Sequence, residues 1–231
     1  MTAVKMVEKY ADWQAWLHDY IVGQRALRIH AFILEKAALA PVLTEKTPRS
    51  VLDVGCGGGQ AALRLKSLYA HLTITGIDLT ESQIVRACQR AKSKQADVQF
   101  EVADAQALPY ADASFDVVFS FGSVKHWPDP LQGVSECWRV LKPGGDLLLV
   151  DSTSDASRGQ LLNFLKVAGI PGLLRPLLGT FLDKILVRPA RPMTTYYQIA
   201  EQLNLPQGTV TQPDYMPTVL FRTRKPLSKN S

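Results

Sequence analysis

Residues 51 to 59 read Val51-Leu52-Asp53-Val54-Gly55-Cys56-Gly57-Gly58-Gly59, and no other stretch restricts the fold as much. A short apolar run ends in a carboxylate and a glycine-dense turn. Gln60-Ala61-Ala62-Leu63-Arg64-Leu65 then takes up helical periodicity. A buried strand therefore feeds a tight loop that opens a helix, and the backbone there can approach a ligand closely. Two details narrow the ligand. A dinucleotide fingerprint needs a small residue at position 60, but Gln60 stands there, so the spacing is G-x-G-x-G. Asp53 on the preceding strand repels a pyrophosphate and suits a cationic or amine-bearing ligand. A glycine turn with no ligand is the plain alternative.

Strand and helix alternate from position 50 onward. Ser50–Val54, Leu72–Ile77, Val98–Ala103, Phe115–Ser120 and Asp146–Asp151 read as strands, the fourth apolar enough to be central. Residues 59–70, 80–93 and 131–141 read as helices. Thr80 and Gln83 form a capping box at the second helix, and Lys142-Pro143-Gly144-Gly145 is a turn that stops the third. This rhythm predicts an α/β fold, a Rossmann-like doubly wound sheet with right-handed crossovers. Beyond Asp151 it breaks. Helices are expected over 157–168 and 194–203, an apolar segment over 169–187, and closing strands at 210–212 and 219–224. The first forty residues read as N-terminal helices that pack on the core or cover a ligand, with Pro41 and Pro48 marking a linker.

Four stretches, VLDVGCGGG, GIDLT, DAQALPYADASFDVVFS and WRVLKPGGDLLLVD, stand in order over Val51 to Asp151. In them the chain resembles the class I SAM-dependent methyltransferases. The resemblance is strongest to the small-molecule, type 11 group that includes ubiquinone/menaquinone biosynthesis enzymes. S-adenosyl-L-methionine (SAM) carries a sulfonium and an α-ammonium and no phosphate, as the carboxylate at 53 requires. The resemblance implies seven strands, mostly parallel with the last antiparallel. It implies one methyltransferase domain over 1–231: a helical cover (1–48), a SAM-binding core (49–151), a substrate-side insertion (152–193) and a closing helix and strands (194–231).

The resemblance also assigns the site. Gly55, Cys56, Gly57 and Gly59 lie against the methionine end, with Asp53 toward the ammonium. Asp78, nineteen residues beyond Gly59, accepts from the ribose hydroxyls. Leu79 packs on adenine, Asp104 takes the exocyclic amine and the Ala105 amide reaches a ring nitrogen. Ser120 ends the fourth strand, and the following loop, Phe121 to Pro130, lies by the transferred methyl. His126 in that loop is the candidate general base, the alternative being that it orders the loop. Methyl transfer from a sulfonium has a good leaving group, so no base is obligatory. Trp127 reads as a wall rather than a cation–π contact.

Other chemistries are argued down. An (N/D)-P-P-(Y/F) motif of the nucleic-acid adenine methyltransferases is absent after the fourth strand, which speaks against DNA. No metal is expected, since only Asp151 and Asp155, a strand end and a helix start, follow the fifth strand. The net charge of +5 is the one hint of an RNA methyltransferase, and a SAM-binding sensor without turnover is the other alternative. Arg222, Arg224 and Lys225 form the densest basic group and read as solvated surface or a fraying tail. Cys56, Cys88 and Cys137 are odd in number and widely spaced, and no signal peptide or 20-residue apolar run is seen, so a cytoplasmic location is expected. The acceptor is a small, apolar or aromatic molecule. Residues 169–191 wall its pocket, extend the core, or make a peripheral membrane or homodimer contact.

Overall fold

The computed structural model describes residues 49–206, 209–213 and 216–227. The expected N-terminal helices fall outside the described residues.

In chain order the elements are β1 (Ser50–Val54), α1 (Gln60–Leu68), β2 (Thr73–Asp78), α2 (Glu81–Lys94), β3 (Gln99–Val102) and β4 (Phe115–Phe121), then α3 (Pro130–Val140) and β5 (Leu141–Ser152). There follow α4 (Arg158–Val167), α5 (Arg175–Leu182), α6 (Met193–Gln202), β6 (Thr209–Thr211) and β7 (Thr218–Arg224). The seven strands form one sheet in the order β3-β2-β1-β4-β5-β7-β6. β1 pairs in parallel with β2 and β4, β2 with β3, and β4 with β5. β7 runs antiparallel to both β5 and β6. This is the expected Rossmann-like arrangement. Strand order reverses between β1 and β4, so the loops after those strands diverge and leave a crevice at their carboxyl ends.

The side-chain period of two distributes the core over both faces of the sheet. Val51, Phe119 and Leu148 face α1 and α4, whereas Leu52, Val118 and Leu149 face α3 and α6. All six are fully buried. A strand buried on both sides must read as a continuous apolar run, and β4 does.

Four local readings change. β5 begins at Leu141, not Asp146: Leu141 pairs with Phe115 and Asp146 with Val117, so Lys142–Gly145 is an irregularity within a 12-residue strand. Gly144 turns through φ 78° there. Thr80 is the N-cap of α2, but its side chain makes no capping bond. The Asp78 carboxylate takes the Thr80 N–H at 2.9 Å instead. Residues 175–182, not read as a helix, form α5; Pro176 is harmless in the first turn, where its missing N–H has no partner to lose. Finally, Arg222 and Arg224 are no loose tail. Both lie on β7 and bind the buried Asp146, at 3.0 and 2.8 Å.

Candidate functional site

The glycine loop connects β1 to α1 at the reversal of strand order. Gly55, Gly57 and Gly59 have φ of 73°, 52° and 77°, a left-handed conformation that side chains resist. The loop is pinned from both sides. Cys56 N–H donates to Ile77 O at 2.7 Å, and Gly57 N–H donates to the Asp78 carboxylate at 2.9 Å. A Cβ at Gly55 would lie 1.8 Å from the Ser123 hydroxyl, so the loop after β4 presses directly on this turn. A Cβ at Gly57 would meet nothing within 4 Å, so there the backbone borders open space.

Asp53 is the electrostatic anomaly of the site. It is 1% exposed, and its Oδ2 has no hydrogen-bond partner. Burial, then the nearby Asp78 charge, pushes its carboxyl up to about 8, with the Ala62 N–H pulling the other way. The Ser120 hydroxyl, at the end of the neighbouring β4, is also buried without a partner. A buried polar atom left unpaired costs about 1–3 kcal/mol. Two such atoms at adjacent strand ends are a site still lacking donors.

The other predicted residues stand at the carboxyl ends of β2 and β3. Asp78 ends β2, and its two oxygens take the Gly57 and Thr80 amides. Leu79 follows with 46% of its surface exposed, unusual for a leucine beside a sheet. Asp104 Oδ1 accepts from the Gln106 N–H at 2.8 Å and so shapes the loop after β3. Ala105 is buried next to it. Gln106 Oε1 in turn accepts from the Asp129 N–H at 2.7 Å, tying this loop to the start of α3.

The loop after β4 stands against the glycine turn. Val124–His126 is a single 3-10 turn with Val124 buried and His126 exposed. Trp127 is buried, its ring against Gly133 and its Nε1–H donating to Ser123 Oγ at 2.9 Å. It is a wall, as read from the sequence. Cys56 and Cys137 are buried and Cys88 exposed, all three unpaired. Among the described residues no three metal-ligating side chains converge.

Comparison with known proteins points the same way. Residues 52–149 match the family described as methyltransferase domain.

Curated relatives agree. The chain is 42% identical over 122 residues to a demethylmenaquinone methyltransferase of Deinococcus radiodurans, covering 53% of this chain and 50% of that one. It is 44% identical over 115 residues to the 27-O-demethylrifamycin SV methyltransferase of Amycolatopsis mediterranei, covering 49% and 42%. It is 33% identical over 171 residues to the 2-methyl-6-phytyl-1,4-hydroquinone methyltransferase of Synechocystis, covering 74% and 51%. The chain thus spans about half the length of the curated relatives it matches. A SAM-dependent methyltransferase from Aquifex aeolicus shares the fold at TM-score 0.59 and 19% identity, covering 83% of this chain and 90% of that one. So does the [4+2]-cyclase SpnF, at TM-score 0.63 and 20% identity, covering 98% of each. The fold alone therefore does not decide the reaction.

All the candidate residues from Asp53 to His126 fall inside the matched residues 52–149. The sequence reading missed what holds the loop after β4. Asp151, taken as a mere strand end, accepts the Lys125 N–H at 2.9 Å and lies 3.4 Å from Lys125 Nζ. An acid closing a buried apolar strand was the available signal. Asp155 does not start α4, where Ser157 and Gln160 make the capping box; it accepts the Met193 N–H at the head of α6. Replacing Asp151 with alanine leaves the Lys125 ammonium, 12% exposed, without its counter-ion. Loss of about 3 kcal/mol is expected in chemical denaturation, the scale for breaking a buried pair.

Proposed function

We propose that the chain binds SAM at the β1–β4 reversal and transfers its methyl group to a small apolar or aromatic acceptor, with a phenol or quinol as first choice. The observation that carries the cofactor is Asp53: a buried carboxylate with an unpaired oxygen, beside a glycine turn open at Gly57. A ligand ammonium supplies the missing donors, and a phosphate would not. When bound, SAM supplies an electrophilic methyl on a sulfonium. The chain's own part is to orient and to exclude water. Gly55, Cys56, Gly57 and Gly59 line the methionine end, Asp78 receives the ribose, and Leu79, Asp104 and Ala105 hold the adenine. Ser120 offers its hydroxyl at the strand end. His126 is the candidate base for an acidic acceptor proton.

The acceptor class rests on the relatives, whose names specify demethylmenaquinone, 27-O-demethylrifamycin SV and 2-methyl-6-phytyl-1,4-hydroquinone. In this reading 1–231 is one domain with the boundaries given above, and its three free cysteines suit a reducing cytoplasm. The test is calorimetry with SAM and its demethylated product, followed by turnover on quinols, phenols, amines and thiols. Binding without turnover on every acceptor leaves a sensor; salt-sensitive RNA binding in a filter assay leaves the RNA reading.

Asp78→Ala is expected to weaken SAM by about 1.5–3 kcal/mol, the scale for hydrogen bonds to a charged group. Calorimetry measures it, and unchanged affinity removes Asp78 from the site.

A further inference from the structure

Helices α4 and α5 pack as a hairpin beyond the residues that match the methyltransferase family. Their inner faces are settled: Leu161, Leu165 and Leu182 are buried together, and a Cβ at Gly179 would lie 3.2 Å from Leu162. The expected apolar segment therefore divides. Part of it extends the core, and the rest faces outward.

The outward part is concentrated. Twelve large apolar side chains of the described residues are exposed, and six of them lie between Val167 and Ile185. Leu173 is 92% and Leu177 74% exposed, with Leu174, Phe181 and Ile185 beside them. Leu177, Phe181 and Ile185 recur every fourth residue along α5 and the π-helical turn Asp183–Val187 that continues it. One rigid surface thus carries them.

Charge picks the occupant. From Arg158 to Arg191 there are six basic residues, Arg158, Lys166, Arg175, Lys184, Arg188 and Arg191, against the single acid Asp183. That segment accounts for the whole formal charge of +5, since the rest of the chain has 20 basic and 20 acidic residues. Asp183 is itself neutralised by Arg188 at 2.8 Å. Lys166 and Lys184 are exposed, each adjoining an exposed apolar residue in sequence, Val167 and Ile185. A second copy across a two-fold axis would set this cationic rim against itself. A polyanion without apolar surface would leave the leucines in water. An anionic bilayer satisfies both features, since leucines enter the acyl boundary while the cations meet lipid phosphates.

We infer that the α4–α5 surface docks the protein on anionic membranes, Leu173 and Leu177 entering the bilayer and Lys166 and Lys184 contacting headgroups. Docking needs no SAM, so it stands or falls separately from methyl transfer.

Flotation of the full chain with phosphatidylcholine vesicles, with and without phosphatidylglycerol, tests it. Retention is expected on the anionic vesicles alone, and high salt lowers it. Leu173→Asp and Leu177→Asp each lower partition by roughly tenfold, about one leucine's burial. Lys166→Glu with Lys184→Glu lowers it as well. The melting temperature and SAM affinity of these variants stay at the parent values, since the changed side chains touch neither core nor glycine turn. Four results overturn the inference: no retention on anionic vesicles at low salt, equal retention on neutral ones, retention undiminished in the leucine variants, or unretained protein whose concentration-dependent self-association those variants abolish. A fall in melting temperature in the leucine variants of an unretained protein points instead to a segment of the same chain on this surface.

Discussion

Asp53→Asn is expected to weaken SAM or its demethylated product by roughly 10- to 100-fold near pH 8, equivalent to about 1.5–3 kcal/mol for bonds to a charged group. It should also flatten the pH dependence of binding. The sign follows from the ligand-free state. Burial and the Asp78 charge raise the Asp53 carboxyl from 3.8 to about 8, so at neutral pH the empty site holds a proton. A ligand ammonium favours the carboxylate, so binding expels that proton. Affinity therefore tightens as pH rises toward about 8, by up to about tenfold per unit, and turns over above it as the ligand's own α-ammonium loses its proton. Stability of the ligand-free protein runs the other way. Between the unfolded value of 3.8 and the folded value of about 8 the native state holds the extra proton, so stability falls as pH rises through that window. Asn removes this fall. Calorimetry in buffers of different ionisation enthalpy reads the released proton directly. An Asn variant with the parent's affinity and pH profile separates Asp53 from the ligand.

The second large effect lies in the turn itself. Gly55→Ala is expected to cost about 2–5 kcal/mol of stability, combining the left-handed backbone penalty with overpacking. The new Cβ would sit 1.8 Å from Ser123 Oγ and 2.4 Å from Ser123 Cβ, so rotating the hydroxyl does not relieve it. The whole loop after β4 must shift, taking the Trp127 bond to Ser123 with it. Gly57→Ala is the control. Its φ of 52° is equally left-handed, but its Cβ meets nothing within 4 Å, so only the backbone penalty of about 1–2 kcal/mol remains. Combining Gly55→Ala with Ser123→Gly removes the clashing atoms and should recover the packing part, a non-additivity expected of touching residues. Denaturant midpoints measure all four proteins. If Gly55→Ala is as mild as Gly57→Ala, the two loops do not press on each other.

What could be read from the sequence was local. The strand before Gly55, the left-handed spacing of the turn and the acid closing β2 each depend on a few adjacent residues, and periodicity alone predicted the doubly wound sheet. Features set by distant partners were misread. Lys142–Gly145 has turn composition, yet Phe115 on β4 holds Leu141 in the sheet, so β5 starts early. Thr80 has the cap signature, but Asp78 reaches its N–H first. Arg222 and Arg224 look like a tail because Asp146, the acid that binds them, is 76 and 78 residues away. The apolar run after Gly169 showed no face, since only the contact with α4 separates Leu182 from Leu177.

One measurement bears most directly on methyl transfer at this site: incubation of the full chain with methyl-labelled SAM and a panel of phenols and quinols. The account predicts label on at least one acceptor, dependent on Asp78 and Asp53, with SAM bound well below a millimolar. No binding below about a millimolar, barely 4 kcal/mol of affinity, or no label on any acceptor, contradicts it.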